Sequence, residues 1–224
     1  MHKLMIILAV LLTASYGPAI AGEESIPSVT PTAAPAGGER DLVRSIEDHY
    51  RNLTDLTAKV VQRNYLKSVD KTQAFEGVLS IKRPGKLKLE YTNGQTIVVD
   101  GKDAWFYSRK NEQAIRRTFQ DFEQANIPVA FLLGAGDIRK EFDVAPGAAD
   151  KPGVLDLVPR RKSGAVMKKV RLVADGTGRI TEMTVHDRSG NSSKVLFSDV
   201  QEGIGLDDRL FQFKAPKGTE IIEQ

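Results

Sequence analysis

Apolar residues along the chain fall into three successive regimes, and each predicts a different kind of element. Between Leu4 and Leu12 they form an unbroken run behind Lys3, followed by small and polar residues and then Ala19-Ile20-Ala21. This is the layout of a cleavable secretory signal over residues 1–21; a retained span would need roughly 20 apolar residues. From Arg40 the spacing turns helical, with Leu42, Val43, Ile46, His49, Tyr50 and Leu53 on one stripe and charged residues between them. After Thr54 the period shortens towards two. Leu87, Leu89 and Tyr91 alternate with Lys86, Lys88 and Glu90, so one face of that strand is dry and the other wet.

Turn signals divide the rest into short β-rich runs: Arg83-Pro84-Gly85, Asn93-Gly94, Asp100-Gly101, Pro152-Gly153, Asp175-Gly176 and Ser189-Gly190-Asn191. Asn93-Gly94 and Asp100-Gly101 are the pairs that tight hairpins prefer. The pattern predicts a mainly β protein of eleven or twelve strands in one antiparallel meander, curved or rolled into an open barrel. One segment breaks it. In residues 119–140, Pro128 can open a short helix, Gly134 can close it and Asp137 can cap the next turn, which predicts an apolar helical insertion on the concave side of the sheet.

Composition narrows the class. Residues 22–39 hold Pro27, Pro31, Pro35 and several alanines but no large aromatic side chain, and read as a flexible leader to a single domain over 40–224. Lysine and arginine number 32 against 29 aspartate and glutamate; losing Lys3 with the signal lowers the formal charge from +3 to +2, which gives no reason to expect nucleic acid. The chain has no cysteine, so disulfides, thiolate metal sites and a lipid-modified N-terminal cysteine are excluded. No phosphate loop, dinucleotide fingerprint, H-E-x-x-H or G-x-S-x-G motif occurs, and no cofactor, metal or catalytic residue is expected. His49 reads as a packed helix residue and His186 as a surface strand residue.

Residues 75–113 carry the strongest signal. Gly77, the strand into Lys82-Arg83-Pro84-Gly85, the alternating run after it, Asp100-Gly101-Lys102, Trp105-Phe106-Tyr107 and Glu112-Gln113 resemble the LolA family of periplasmic lipoprotein carriers. Pro128-Val129-Ala130-Phe131-Leu132-Leu133-Gly134 is similar to that family's lid helix, and residues 213–221, with Pro216-Lys217-Gly218, to its final strand and tail. The pieces keep the family's order and spacing from about Arg40 onward.

The resemblance implies an unclosed antiparallel β-barrel of about eleven strands with a helical lid over an apolar cavity for acyl chains. Leu87, Leu89, Tyr91, Trp105, Tyr107, Phe122, Ile127, Val129, Phe131 and Leu132 are the expected lining. Trp105 and Tyr107 point to one face and Phe106 to the other, so only one of these faces can line it. From the residues alone, Arg83 is a solvated charge before a turn, in line with Lys82, Lys86 and Lys88; the resemblance implies a latch to backbone carbonyls of the lid. The implied partners are acylated lipoproteins, an inner-membrane ABC-type lipoprotein-releasing complex and an outer-membrane lipoprotein receptor, with the carrier acting as a monomer. A carrier or sensor of another amphiphile, such as a glycolipid or hopanoid, would use the same architecture. The basic clusters Arg160-Arg161-Lys162 and Lys168-Lys169-Arg171 suit either anionic partners or a solvated strand edge.

Overall fold

The alternating segments join edge to edge in one twelve-stranded sheet. The computed structural model describes residues 39–125, 132, 138–146, 153–160 and 167–224. The expected secretory signal, nearly all of the leader and Pro128 lie outside them. The strands are β1 (Asp55–Leu66), β2 (Lys71–Lys82), β3 (Lys86–Tyr91), β4 (Gln95–Asp100), β5 (Asp103–Ser108), β6 (Gln113–Thr118), β7 (Phe142–Pro146), β8 (Val154–Pro159), β9 (Met167–Ala174), β10 (Ile180–Asp187), β11 (Ser192–Glu202) and β12 (Glu220–Glu223). Their order is β12-β6-β5-β4-β3-β2-β1-β11-β10-β9-β8-β7, antiparallel throughout except for the parallel β12–β6 pair. The expected hairpins at Asn93-Gly94 and Asp100-Gly101 connect β3 to β4 and β4 to β5. The sheet is not closed on itself: among the described residues β7 and β12 are its two ends.

This order dictates where the helices go. The chain runs outward from β1 to β6, then resumes at β7 on the opposite edge and works back to β11, which pairs with β1. Residues 119–141 therefore have to span from one side of the sheet to the other. They hold α2 (Phe119–Ala125) and α3 (Ile138–Glu141), with Phe122, Leu132 and Ile138 all buried. Thr118 starts α2 as its cap: its hydroxyl accepts from the Asp121 backbone N–H at 3.1 Å. The C-terminal chain makes the complementary crossing. It leaves β11, passes over the other face of β3 and β4 through a 3-10 turn at Asp208–Phe211, and ends as β12 beside β6.

Strand pairing lines up the apolar alternation of neighbouring strands. On the inner face Ala58 pairs with Leu79 and Leu79 with Leu89, while Leu89 pairs with Ile97 and Ile97 with Phe106. On the other half Val195 pairs with Met183 and Met183 with Leu172, and Leu172 with Leu155. Helix α1 (Glu39–Arg51) buries Leu42, Val43, Ile46 and Tyr50 in the same cluster. It is fixed at its C-terminal end by polar contacts. The Tyr50 hydroxyl accepts from the Ile180 N–H at 3.1 Å, and Glu202 accepts from both His49 (3.0 Å) and Arg179 (3.1 Å). His49 is thus the packed, hydrogen-bonded residue that its stripe position suggests.

Two places need the absence of a side chain. A Cβ at Gly178 would lie 2.3 Å from the Ser45 carbonyl oxygen, so this turn sets how closely α1 approaches the sheet. A Cβ at Gly77 would lie 2.4 Å from the Glu90 carbonyl oxygen, where β2 and β3 come together.

Candidate functional site

Between the curved sheet and Leu132 lies a hollow. Its floor is built by alternation on neighbouring strands: Val60 and Gln62 from β1, Leu79 and Ile81 from β2, and Leu87, Leu89 and Tyr91 from β3. Met183 of β10 and Val195 and Phe197 of β11 close one side, and Leu132 of the crossing covers it. The enclosed free volume is about 30 Å³, within about 420 Å³ of atom-free space that includes its opening to solvent. That is room for a couple of water molecules, and a wall this apolar gives them few partners, so the hollow is a dry one. An acyl chain needs more room than this.

Of the side chains expected to line such a cavity, Leu87, Leu89, Tyr91 and Leu132 face it. Phe122 is buried beside Phe106, ring centres 6.1 Å apart, and is part of the packing that holds α2 on the sheet. Ile127, Val129 and Phe131 lie outside the described residues. Trp105 and Tyr107 have to be corrected. Alternation along β5 turns Phe106 inward and these two outward, and on the outer face Trp105 stacks on Phe213 of the C-terminal crossing at 5.0 Å while Tyr107 lies tilted against it at 5.8 Å. The Arg116 guanidinium lies 5.5 Å over the Trp105 ring. The aromatic pair therefore belongs to a second, outer cluster with Phe211 and Val98.

Lining residues of β1, β2, β10 and β11 were not foreseen. Val195 and Phe197 flank Leu196 in an unbroken apolar stretch, which hides their alternation. Gln62 looks like a solvent-facing polar residue until its partners are known. Its amide nitrogen donates to Asn64 Oδ1 (2.9 Å) and Ser193 Oγ (3.0 Å), and its carbonyl oxygen accepts from the Tyr91 hydroxyl. Burial pushes the Tyr91 hydroxyl well above the usual tyrosine range, so it stays a donor at any physiological pH.

Arg83 sits half-buried at the end of β2, its backbone N–H donating to the Thr54 carbonyl at 2.8 Å. Its Nη1 is buried with no hydrogen-bond partner among the described residues, and desolvation lowers the guanidinium pKa. It is no solvated surface charge, unlike what its neighbourhood of lysines suggests. Lys82 and Lys86, by contrast, turn outward onto Asp208, at 2.6 and 2.8 Å.

Among the described residues no group of three or more potential metal ligands is found, and no helix is long and apolar enough to cross a membrane. His186 lies on the outer face near Lys169 and Arg171. Burial first, then these cations, hold its pKa below the ordinary value near 6.5. The unfolded chain therefore takes up that proton more readily, and the stability involved is complete above about pH 6.5 and lost as pH falls below it. The urea midpoint should decrease between pH 7.5 and pH 5.5, and His186→Gln should flatten part of that slope. An unchanged slope in the variant would remove His186 from the account.

Residues 51–214 match the family described as outer membrane lipoprotein carrier protein LolA. The outer-membrane lipoprotein carrier protein of Dechloromonas aromatica (strain RCB) is 28% identical over 199 residues, covering 87% of this chain and 92% of that protein. That of Chromobacterium violaceum is 30% identical over 156 residues, covering 68% of this chain and 74% of the relative. Among solved structures, an uncharacterized conserved protein from Thermus thermophilus superposes with a TM-score of 0.50 at 11% identity, over 83% of this chain and 98% of that one, a likeness of fold. With the family's match covering most of the strands and every residue that lines the hollow, the chain belongs to the LolA family of outer membrane lipoprotein carrier proteins.

Proposed function

We propose that this protein is a periplasmic, non-enzymatic carrier that takes up the acyl chains of lipoproteins released from the inner membrane and delivers them to the outer membrane. The observation that carries this reading is the dry apolar hollow between the open sheet and Leu132, in a chain of this family. The secretory layout of residues 1–21 supports the periplasmic setting. Loading falls to an inner-membrane ABC-type releasing complex and unloading to an outer-membrane lipoprotein receptor, with the carrier a monomer between them.

The small free volume fits this task. Each buried methylene contributes roughly 0.8 kcal/mol, so several full acyl chains in a ready-made cavity would be held too tightly to pass on. A hollow filled by its own cover when empty binds more weakly, because displacing Leu132 and its neighbours subtracts from the gain. Arg83 is the candidate latch. Its buried Nη1, without a partner among the described residues, calls for an acceptor, and carbonyls at the end of a lid helix are both unsatisfied and partly negative.

The direct test is release of lipoproteins from spheroplasts with and without the added protein; no release above background would end the carrier reading. Arg83→Leu should still load lipoprotein but slow its transfer to outer membranes about tenfold or more, the kinetic equivalent of roughly 1.4 kcal/mol. Wild-type transfer kinetics in the variant would sink the latch while leaving the carrier intact.

A further inference from the structure

We infer that the outer face of β9, β10, β11 and β1, with the two turns at its end, is a basic docking surface for the anionic headgroups of a lipid bilayer. The inference stands apart from the carrier reading, because it concerns the face of these strands turned away from the hollow.

Lys168, Lys169 and Arg171 do not guard a strand edge, since β9 is paired on both sides, with β8 and with β10. Strand register gathers further cations around them. Arg171 stands opposite Thr184, Thr184 opposite Lys194 and Lys194 opposite Arg63, one row across four neighbouring strands. In the next row Lys169 is opposite His186. Beyond that row come the β1–β2 turn, flanked by Lys67 and Lys71, and the β10–β11 turn with Arg188. These two turns form one surface. The Lys67 backbone N–H donates to Asn191 Oδ1 at 3.0 Å, and a Cβ at Gly190 would lie 2.5 Å from Lys67 Cδ.

The nearby carboxylates are already engaged. Asp156 is shared between Lys169 (3.2 Å) and Arg171 (2.7 Å), and Glu182 lies 2.8 Å from Lys194. Asp187 is buried and accepts from Asn191, while Asp70 accepts from the Tyr65 hydroxyl at 3.0 Å. Arg63, Lys67, Lys168 and Arg188 are exposed, and none has an ion-pair partner among the described residues. The surplus is felt by a neighbour: after burial, Lys169 and Arg171 are what keep the His186 pKa low. Between Lys67 and Lys71 the tip carries Val69, 57% exposed.

An apolar tip flanked by lysines, beside uncompensated cations spread over several strands, fits a fluid layer of mobile anionic headgroups. Each such cation adds to the attraction, which fades within a Debye length, so the contact is weak and reversible at physiological salt.

The test is flotation of the protein as exported, purified without detergent, with vesicles of phosphatidylcholine alone or of equal parts phosphatidylcholine and phosphatidylglycerol. Affinity for the mixed vesicles should be about tenfold higher, and raising the salt from ~0.02 M to ~0.15 M should remove most of the difference. Lys67→Gln with Arg188→Gln should cut binding to the mixed vesicles about tenfold. Arg109→Gln with Lys110→Gln, which removes the same charge from the β5–β6 turn, should stay within twofold of wild type. Equal affinity for the two vesicles, or equal losses in the two double variants, would overturn the surface. A face built for an acidic protein would leave both vesicles unbound, and that result overturns it too. None of these outcomes bears on lipoprotein release from spheroplasts, which tests the carrier reading separately.

Discussion

Replacing Phe211 by alanine should destabilise the protein by about 3–5 kcal/mol, the range for a fully buried phenylalanine, and lower its Tm by roughly 6–20 °C. Phe211 is 1% exposed, yet it belongs to no part of the inner core. It lies on the outer face with Val98 and Ala114, where the C-terminal crossing packs against β3 and β4. Phe213 on Trp105 and Tyr107, and Asp208 between Lys82 and Lys86, fasten the same crossing. The two lysines hold the Asp208 carboxyl down at about 2, so these ion pairs persist through any mild acid treatment and give way only as pH falls towards 2. Differential scanning calorimetry of Phe211→Ala settles the matter: a Tm change under 2 °C would mean that the crossing is dispensable to the fold. Phe213→Ala, at a half-buried position, should cost less.

Gly77→Val should be comparably damaging, with a loss above about 3 kcal/mol, for a different reason. A Cβ there overlaps the Glu90 carbonyl oxygen at 2.4 Å and approaches the Tyr91 Cα to 3.2 Å. Both are backbone, so no side-chain rotation relieves the clash; β2 and β3 have to part, and the Gly77–Tyr91 pair opens. Because Tyr91 is also in the wall of the hollow, chemical denaturation and lipopeptide binding should both suffer. A urea midpoint and binding constant equal to wild type would show that the strands can separate there at little cost.

Most of the architecture was legible from period alone. The switch from 3.6 to 2 at Thr54, the paired turn residues and the one apolar interruption at 119–140 fix an open meander with helices on one side. Twelve strands form, within the eleven or twelve that the turn signals predict; the last, residues 220–223, pairs parallel with β6, an orientation that the period of a four-residue segment does not reveal. The site was half legible. Leu87, Leu89 and Tyr91 declare themselves by alternating with charges. Trp105 and Tyr107 mislead because an aromatic pair at period two gives a face but not which face, and the outer face here has its own apolar cover. Gln62 misleads in the opposite sense: a polar side chain reads as wet until the strand opposite supplies Ser193, 131 residues away. Contacts of that separation are set by the β1–β11 pairing, which no local window contains.

The free ends of the strand order have a consequence of their own. In a closed ring, strand number and shear determine girth, and an occupant has to fit what the hydrogen bonds allow. Here β7 and β12 are the free ends among the described residues, so no closing ladder holds the wall to one girth. An occupant of the hollow therefore meets a wall whose width is left to twist and packing.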